Sequence, residues 1–257
     1  MILVIDIGNS QIELGVFQNN KLLKSWRIST GVDRTEDEYM VFLHHFFSLL
    51  DLSIQAVEGI SLASVVPNKT FIFEKMCQKY FKIKPLVVDH TLELGIKILY
   101  RDPSAVGADR LCNAVAAYSR YREALVVVDI GTATTFDVVT ASGEYLGGII
   151  SPGIETTAWA LYQRAARLPK ISLEIPVKVI GQTTEESMQA GIMIGTIKLI
   201  DGLLEEIFSE LGKKIRVIAT GGLAKLIKDK SQFIEIDIPH LVLEGLNIIY
   251  YKNKRAK

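Results

Sequence analysis

Two stretches of this chain follow one plan. Leu3 to Phe17 reads Leu-Val-Ile-Asp-Ile-Gly-Asn-Ser-Gln-Ile-Glu-Leu-Gly-Val-Phe, and Val126 to Val139 reads Val-Val-Val-Asp-Ile-Gly-Thr-Ala-Thr-Thr-Phe-Asp-Val-Val. Each is an apolar strand, a tight turn opened by Asp-Ile-Gly, and a second strand. Aligning Asp6 with Asp129 also sets Gly8 on Gly131, Asn9 on Thr132, Leu23 on Leu146, and the polar turn Asn19-Asn20 on Ser142-Gly143. A repeat of roughly 120 residues is too long for a solenoid and fits two copies of one domain. Glycine permits a turn that bulkier residues resist, and Thr132, Thr134 and Thr135 offer hydroxyls and backbone N–H groups at a turn of phosphate size. Either stretch alone also suits an ordinary hairpin. The duplication favours two hairpins that grip one phosphate chain from both sides.

A chain of 257 residues can bury two ordinary cores. The expected division is an N-terminal domain, 1–118, with the first hairpin, and a C-terminal domain, 119–257, with the second. The 29 basic and 29 acidic residues cancel, so no net field recruits nucleic acid or an anionic membrane. The basic end, Lys252 to Lys257, reads as a solvated tail. Cys77 and Cys112 share no metal-ligand spacing and read as buried reduced thiols. The start, Met-Ile-Leu-Val-Ile, reaches Asp6 without a basic region and reads as a first strand, and no apolar run has membrane length. A cytoplasmic protein is expected.

Along the chain, residues 2 to 7, 11 to 17 and 21 to 28 read as a three-stranded meander. Thr35 and Glu38 form a capping box for a helix whose face is Tyr39, Leu43, Phe46, Phe47 and Leu50. The adjacent His44 and His45 point to different sides and read as surface residues. A strand over Ile60 to Val66 is stopped by Pro67, a helix covers Lys69 to Tyr80, and Pro85 to Val88 is a strand, giving βββαβαβ. A new helix begins at Asp109-Arg110 with Leu111, Val115 and Tyr118 as its apolar face. Strands near 125–131, 134–140 and 144–150 repeat the meander, followed by a helix over 153–167. Thr184 reads as the N-cap of a long helix to about 210, whose Gly191, Gly195 and Gly202 would mark close packing. Ile215 to Ala219 is a strand running into Thr220-Gly221-Gly222 and a helix from Leu223, and Leu243 to Tyr250 reads as a closing helix.

With these strings in order, the chain resembles the type III pantothenate kinases over nearly its whole length. They are Asp6-Ile7-Gly8-Asn9-Ser10, Val106-Gly107-Ala108-Asp109-Arg110, Asp129 to Asp137, Ser151-Pro152-Gly153-Ile154, Ser187-Met188-Gln189 and Leu243-Glu244-Gly245-Leu246. The hairpins and Thr-Gly-Gly alone would mark only the wider actin/sugar-kinase/Hsp70 (ASKHA) superfamily. The resemblance implies an α/β fold of two duplicated ribonuclease-H-like domains with mixed sheets flanked by helices. It also implies ATP-dependent phosphorylation of pantothenate to 4′-phosphopantothenate, the committing step of coenzyme A synthesis. The implied partners are pantothenate, ATP and a second copy in a cytoplasmic homodimer. The implied ions are a divalent cation such as Mg2+ and a monovalent one, K+ or NH4+.

Carried across by position, Asp6, Ile7, Gly8, Asn9, Ser10, Gln11, Ile12 and Glu13 would hold the ATP phosphates, with Asp6 placing the metal. Asp129 would bind the monovalent cation and Thr132 the nucleotide. Tyr100, Gly107, Ala108, Asp109, Arg110 and Thr184 would line the pantothenate pocket, with Asp109 as proton acceptor, and Thr220, Gly221 and Gly222 would lie against the adenosine. The sequence departs from the family at Gln11, where Asn is usual, at Asp102, where Asn often precedes the proline, and at Gln182-Thr183, where Lys-Asn is common. The residues alone leave other roles open: Asp6 as a turn carboxylate, Asp109 as a helix-start carboxylate, Arg110 in a surface ion pair, Thr-Gly-Gly as a strand-to-helix turn. Phosphoryl transfer asks mainly for positioning, and an ionised carboxylate can take the hydroxyl proton. A sibling kinase or phosphatase would lack reason for Gly107 to Arg110, and a non-catalytic regulator would tolerate a broken Asp109 or phosphate turn.

Overall fold

The computed structural model describes residues 1–255. They fall into two compact units: Met1–Tyr121 with Gly143–Tyr145 and the chain from His240, and Arg122–Ser142 with Leu146–Pro239.

In the first unit a five-stranded sheet is built from β1 (Ile2–Ile7), β2 (Gln11–Gln18), β3 (Lys21–Ser29), β4 (Gly59–Ser64) and β5 (Leu86–Val87). Its order is β3-β2-β1-β4-β5, with β1 antiparallel to β2 and parallel to β4. Asn19 and Asn20 both take positive φ in the two-residue turn between β2 and β3, as the twist of a tight hairpin demands. On one face Leu3, Ile5, Ile7, Ile12, Leu14 and Val16 pack with Tyr39, Leu43 and Phe47 of α1 (Glu36–Ser48) and Phe73 of α2 (Pro67–Met76). Thr35 and Glu38 close the expected capping box: Thr35 N–H donates to Glu38 Oε2 at 2.7 Å and Glu38 N–H to Thr35 Oγ1 at 3.3 Å. Phe46 packs against the edge of the same core and stacks on Trp26, while Leu50 lies past the helix end, exposed.

The other face receives α3 (Ala108–Tyr121) and α8 (Leu241–Arg255). Short β6 (Lys97–Ile98) pairs here with Glu144 and Tyr145 at the start of β9 (Glu144–Pro152). Helix α8 departs from the expected division at 118/119: it is the last helix in the chain, yet it belongs to the first unit. A Cβ on Gly245 would stand 2.1 Å from the Cys112 carbonyl oxygen, so the two helix backbones meet where no side chain fits. The helix also takes in Lys252 to Arg255, expected as tail; Ala256 and Lys257 lie outside the described residues.

The second unit repeats the plan. Strands β7 (Leu125–Ile130), β8 (Ala133–Val139), β9, β10 (Arg216–Thr220) and β11 (Ile236–Asp237) run in the order β9-β8-β7-β10-β11, with β7 antiparallel to β8 and parallel to β10. Its core joins Val126, Val128, Phe136 and Val217 to Met193, Ile197, Ile200 and Leu204. Helices α4 (Ile154–Arg164), α5 (Thr184–Gln189), α6 (Gly195–Leu211) and α7 (Ala224–Lys228) complete the unit.

Several boundaries differ from the sequence reading. Strand β4 stops at Ser64, and Pro67 opens α2, because a missing N–H costs nothing at a first helical position. Helix α2 ends in a wide turn, Cys77–Phe81, and α5 passes through another, Ala190–Ile194, before α6 begins. The cap of α5 is Thr183, whose Oγ1 accepts from Glu186 N–H at 3.1 Å; Thr184 is the first helical residue. A Cβ at Gly191, Gly195 or Gly202 would meet nothing within 4 Å, so these glycines do not mark close packing inside the chain. Cys77 and Cys112 are buried thiols as expected; burial pushes Cys77 up to about 12.

The contrast between glycines is testable. Gly245→Ala forces α8 off α3 and is expected to cost about 1–3 kcal/mol in urea denaturation. Gly202→Ala, inside α6 with open space around it, is expected to be neutral or to stabilise by roughly 0.5–1 kcal/mol.

Candidate active site

In the first unit the β1–β2 turn is closed by Gly8 N–H donating to Gln11 O at 3.0 Å. Asp6 is half-buried at the end of β1, while Asn9, Ser10 and Gln11 are exposed at the tip and Ile7 and Ile12 are buried beneath it. Asp6 stands opposite Glu13 in the strand register. The Glu13 carboxylate is already engaged: His240 Nδ1 lies 2.5 Å from Oε1, and Arg27 Nε 3.5 Å from it. Glu13 is therefore suited to fixing the hairpin and not to meeting a phosphate.

Helix α3 brings a second carboxylate to this unit. Asp109 sits in its first turn with Oδ1 accepting from Arg110 N–H at 2.8 Å. Burial raises its carboxyl above the ordinary value, and the Arg110 N–H and guanidinium oppose the shift without cancelling it. Gly107 makes room for it: a Cβ there would fall 2.4 Å from Asp109 Oδ1. Ala108 and Arg110 are buried. The Cys112 thiol, one turn on, is pushed well up by burial and then by the negative charges of Asp6 and Asp109. Val65 joins the two segments: its N–H donates to Ile7 O at 3.1 Å and its Cγ1 would stand 3.6 Å from a Cβ on Gly107, so the first turn and the start of α3 lie together. Tyr100 is exposed in the same unit, just before Asp102, whose Oδ1 accepts from the Ser104 N–H at 3.0 Å and its hydroxyl at 2.6 Å. That is a cap Asn could also make, so the departure at Asp102 leaves the local turn intact.

In the second unit the β7–β8 turn is tighter, with Gly131 N–H donating to Ala133 O at 3.0 Å. Thr220 pairs with Asp129 across the parallel strands. Gly221, at φ +96°, lets the chain pass so close that a Cβ would lie 2.5 Å from Ile130 O and 2.7 Å from Asp129 Oδ1. Gly222 and Thr132 are exposed beside it. Ser151 to Ile154, one of the family-like strings, has a structural task here. Gly153 N–H and Thr156 Oγ1 donate to Thr132 O at 3.1 and 2.6 Å, and a Cβ on Gly153 would lie 2.1 Å from Gly131 O. The start of α4 thus holds the second turn from behind. Thr184 is exposed in this unit.

Two kinds of ion can be tested against these donors. Among the described residues no three His, Cys, Asp or Glu side chains cluster as a metal cage. A divalent ion bound through substrate phosphates and water needs one or two carboxylates, which Asp6 fits. The Asp129 carboxylate and the Ile130 carbonyl converge beside Gly221, an all-oxygen donor set that suits a hard cation.

The family model described as type III pantothenate kinase matches residues 2–206. A type III pantothenate kinase of Citrifermentans bemidjiense is 46% identical over 254 residues, covering 99% of this chain and 100% of the relative. One of Pelobacter propionicus is 46% identical over 255 residues with the same coverage. Among solved structures, a conserved protein of Campylobacter jejuni described as a possible Baf family transcriptional activator superposes with a TM-score of 0.61 at 18% identity, covering 98% of this chain and 99% of that one. Component A of (R)-2-hydroxyglutaryl-CoA dehydratase from Acidaminococcus fermentans gives 0.55 at 13% identity, covering 99% and 98%. At such identities these two carry the fold alone, the two-domain ASKHA fold.

Burying Asp109 has a sign that can be checked. A carboxyl that binds its proton more tightly folded than unfolded loses stability as pH rises through the ordinary carboxylate range to its raised value. Asp109→Asn is therefore expected to melt at or above the wild-type temperature at pH 7 and to lose that advantage near pH 3. A melting temperature well below wild type at pH 7 would contradict the assignment of burial as the dominant cause.

Proposed function

The chain belongs to the type III pantothenate kinase family, and from that premise we propose how its residues divide the reaction. It is a kinase: ATP is co-substrate and pantothenate is phosphorylated to 4′-phosphopantothenate in coenzyme A biosynthesis. The observation that carries the assignment of roles is the half-buried Asp109 carboxylate, raised by burial, against the bare backbone of Gly107.

A loose phosphoryl-transfer transition state asks for the γ-phosphate, counter-charge and hydroxyl to be held in line. The first hairpin, Asp6 to Ile12, receives the ATP phosphates on its exposed tip, with Glu13 holding the strand. Thr132 contacts the nucleotide, and Thr220, Gly221 and Gly222 offer backbone without side chains to the adenosine. A bound divalent ion supplies positive charge to the phosphate oxygens, and Asp6 is the residue that would hold it. Asp129 and the neighbouring carbonyl would hold a monovalent cation, K+ or NH4+. Gly107, Ala108, Arg110, Tyr100 and Thr184 bind pantothenate, the Arg110 guanidinium matching its carboxylate in shape and charge. Asp109 takes the proton from the attacking hydroxyl. A carboxyl whose proton affinity is raised by burial is a stronger base than an ordinary one.

No helix among the described residues is long and apolar enough to cross a membrane; the cytoplasmic location is proposed from the family. A homodimer is supported by the second unit, which exposes Ile150, Trp159, Val177, Val179 and Ile180 and leaves open space beside Gly191 and Gly195.

Incubation with ATP and pantothenate, read by coupled ADP release and product mass, tests the reaction. Phosphorylated pantothenate is expected, and its absence with active relatives as controls would contradict the reading. Asp109→Asn is expected to lower kcat about a hundredfold to ten-thousandfold with nucleotide affinity unchanged. Retention of half the activity would leave Asp109 as a substrate ligand only. Potassium at fixed ionic strength is expected to raise turnover over sodium; indifference to it would remove the role given to Asp129.

A further inference from the structure

We propose that Thr30 is a positioning residue for phosphoryl transfer, setting the shape of the first phosphate turn through Gly8 and Ser10. The inference rests on the reading of that hairpin as the ATP-phosphate turn. Thr30 is the residue after β3 and is only 5% exposed, although the tip of the hairpin beside it is exposed. Its hydroxyl donates to Gly8 O at 2.8 Å and its N–H donates to Ser10 O at 3.1 Å. The two carbonyls that flank Asn9 are thus both drawn toward one buried residue.

The consequence follows from the geometry of the peptide group. In a trans peptide the carbonyl of one residue and the N–H of the next point in opposite directions. With Gly8 O and Ser10 O turned to Thr30, the N–H groups of Asn9 and Gln11 are directed away from it. A turn with its carbonyls outward would repel phosphate oxygens; one with its N–H groups outward forms an anion-binding concavity. Thr30 selects the second arrangement.

Thr30 is itself fixed from both sides. Before it, Ser29 pairs with Gln11 in the β2–β3 ladder. After it, the buried Lys69 of α2 donates to Val32 O at 3.1 Å and to Asp33 Oδ1 at 2.9 Å. Arg34 Nη1 adds a bond to Ser29 O at 3.1 Å. The segment is pinned to the body of the unit, so the hydroxyl of Thr30 has a defined place from which to hold the turn.

Thr30→Val keeps the shape and the N–H but removes the hydroxyl donor; Thr30→Ser keeps the donor. The KM for ATP of Thr30→Val is expected to rise about tenfold with kcat lowered and the KM for pantothenate unchanged, and Thr30→Ser to stay within about threefold of wild type. Calorimetry with Mg·ADP is expected to show the same loss, about tenfold in Kd, equivalent to roughly 1.4 kcal/mol. Should Thr30→Val not fold, Thr30→Cys, with similar size and a weak donor, takes its place and must show the same split. The proposal is overturned if ATP and ADP constants match wild type while only the melting temperature falls, or if Thr30→Ser is damaged as much as Thr30→Val. Wild-type turnover is measured first. If pantothenate is not phosphorylated, the functional reading has failed on its own, and the ADP titration still decides the role of Thr30.

Discussion

The seating of α3 against α8 is the contact on which the chemistry of the first unit depends. Residues Ala108 and Arg110 to Ala117 are buried without interruption, an unusual length of helix to enclose. Enclosure is possible because α8 presents Gly245 to the Cys112 backbone and because the sheet offers β1 and β4 on the same side. Once α3 is fixed there, its first turn has one place to be, and the Asp109 carboxylate goes with it. The last helix of the chain is thereby made part of the frame that holds a residue near its middle.

That placement costs stability. A carboxylate loses hydration on burial, and the backbone N–H groups of Arg110 and Asp109 together with the Arg110 guanidinium do not make up for it. The same loss raises its affinity for a proton, which is the property a general base needs. Asp6 and Glu13 are handled differently: Asp6 stays half-exposed at a turn, where a cation and phosphates can share its charge, and Glu13 is bound by His240 and Arg27. Three carboxylates in one unit are thus given three environments, which suit them to the proposed roles of base, counter-charge and brace.

Much of this was legible in the sequence where a local rule had no competitor. The apolar runs ended by Asp-Ile-Gly gave both hairpins, and the sheet order β3-β2-β1-β4-β5 recurs as β9-β8-β7-β10-β11, as the duplication required. Thr35 and Glu38 gave a cap that the hydrogen bonds bear out. What could not be read depends on contacts distant in sequence. Gly245 and Gly191 look alike as letters, yet a Cβ on one would strike a helix backbone and a Cβ on the other would meet nothing within 4 Å. Thr183 and Thr184 are the same residue type side by side, and only the direction of the chain decides which one caps. Residues 165–183 form no regular element, yet Ile171, Leu173 and Ile175 pack them against the core. The tasks of Gly153, Thr156 and Thr30 depend on the turns they hold and show only in the folded chain.

The most direct measurement is the pH dependence of kcat/KM for pantothenate in the wild-type enzyme, followed over the acid range in which the fold persists. If Asp109 is the proton acceptor and burial raises it, the rate is expected to fall with acid along a limb governed by one group, with a midpoint clearly above the ordinary Asp value of about 4. A rate that stays level until the protein unfolds, or a midpoint at or below that ordinary value, would contradict the account.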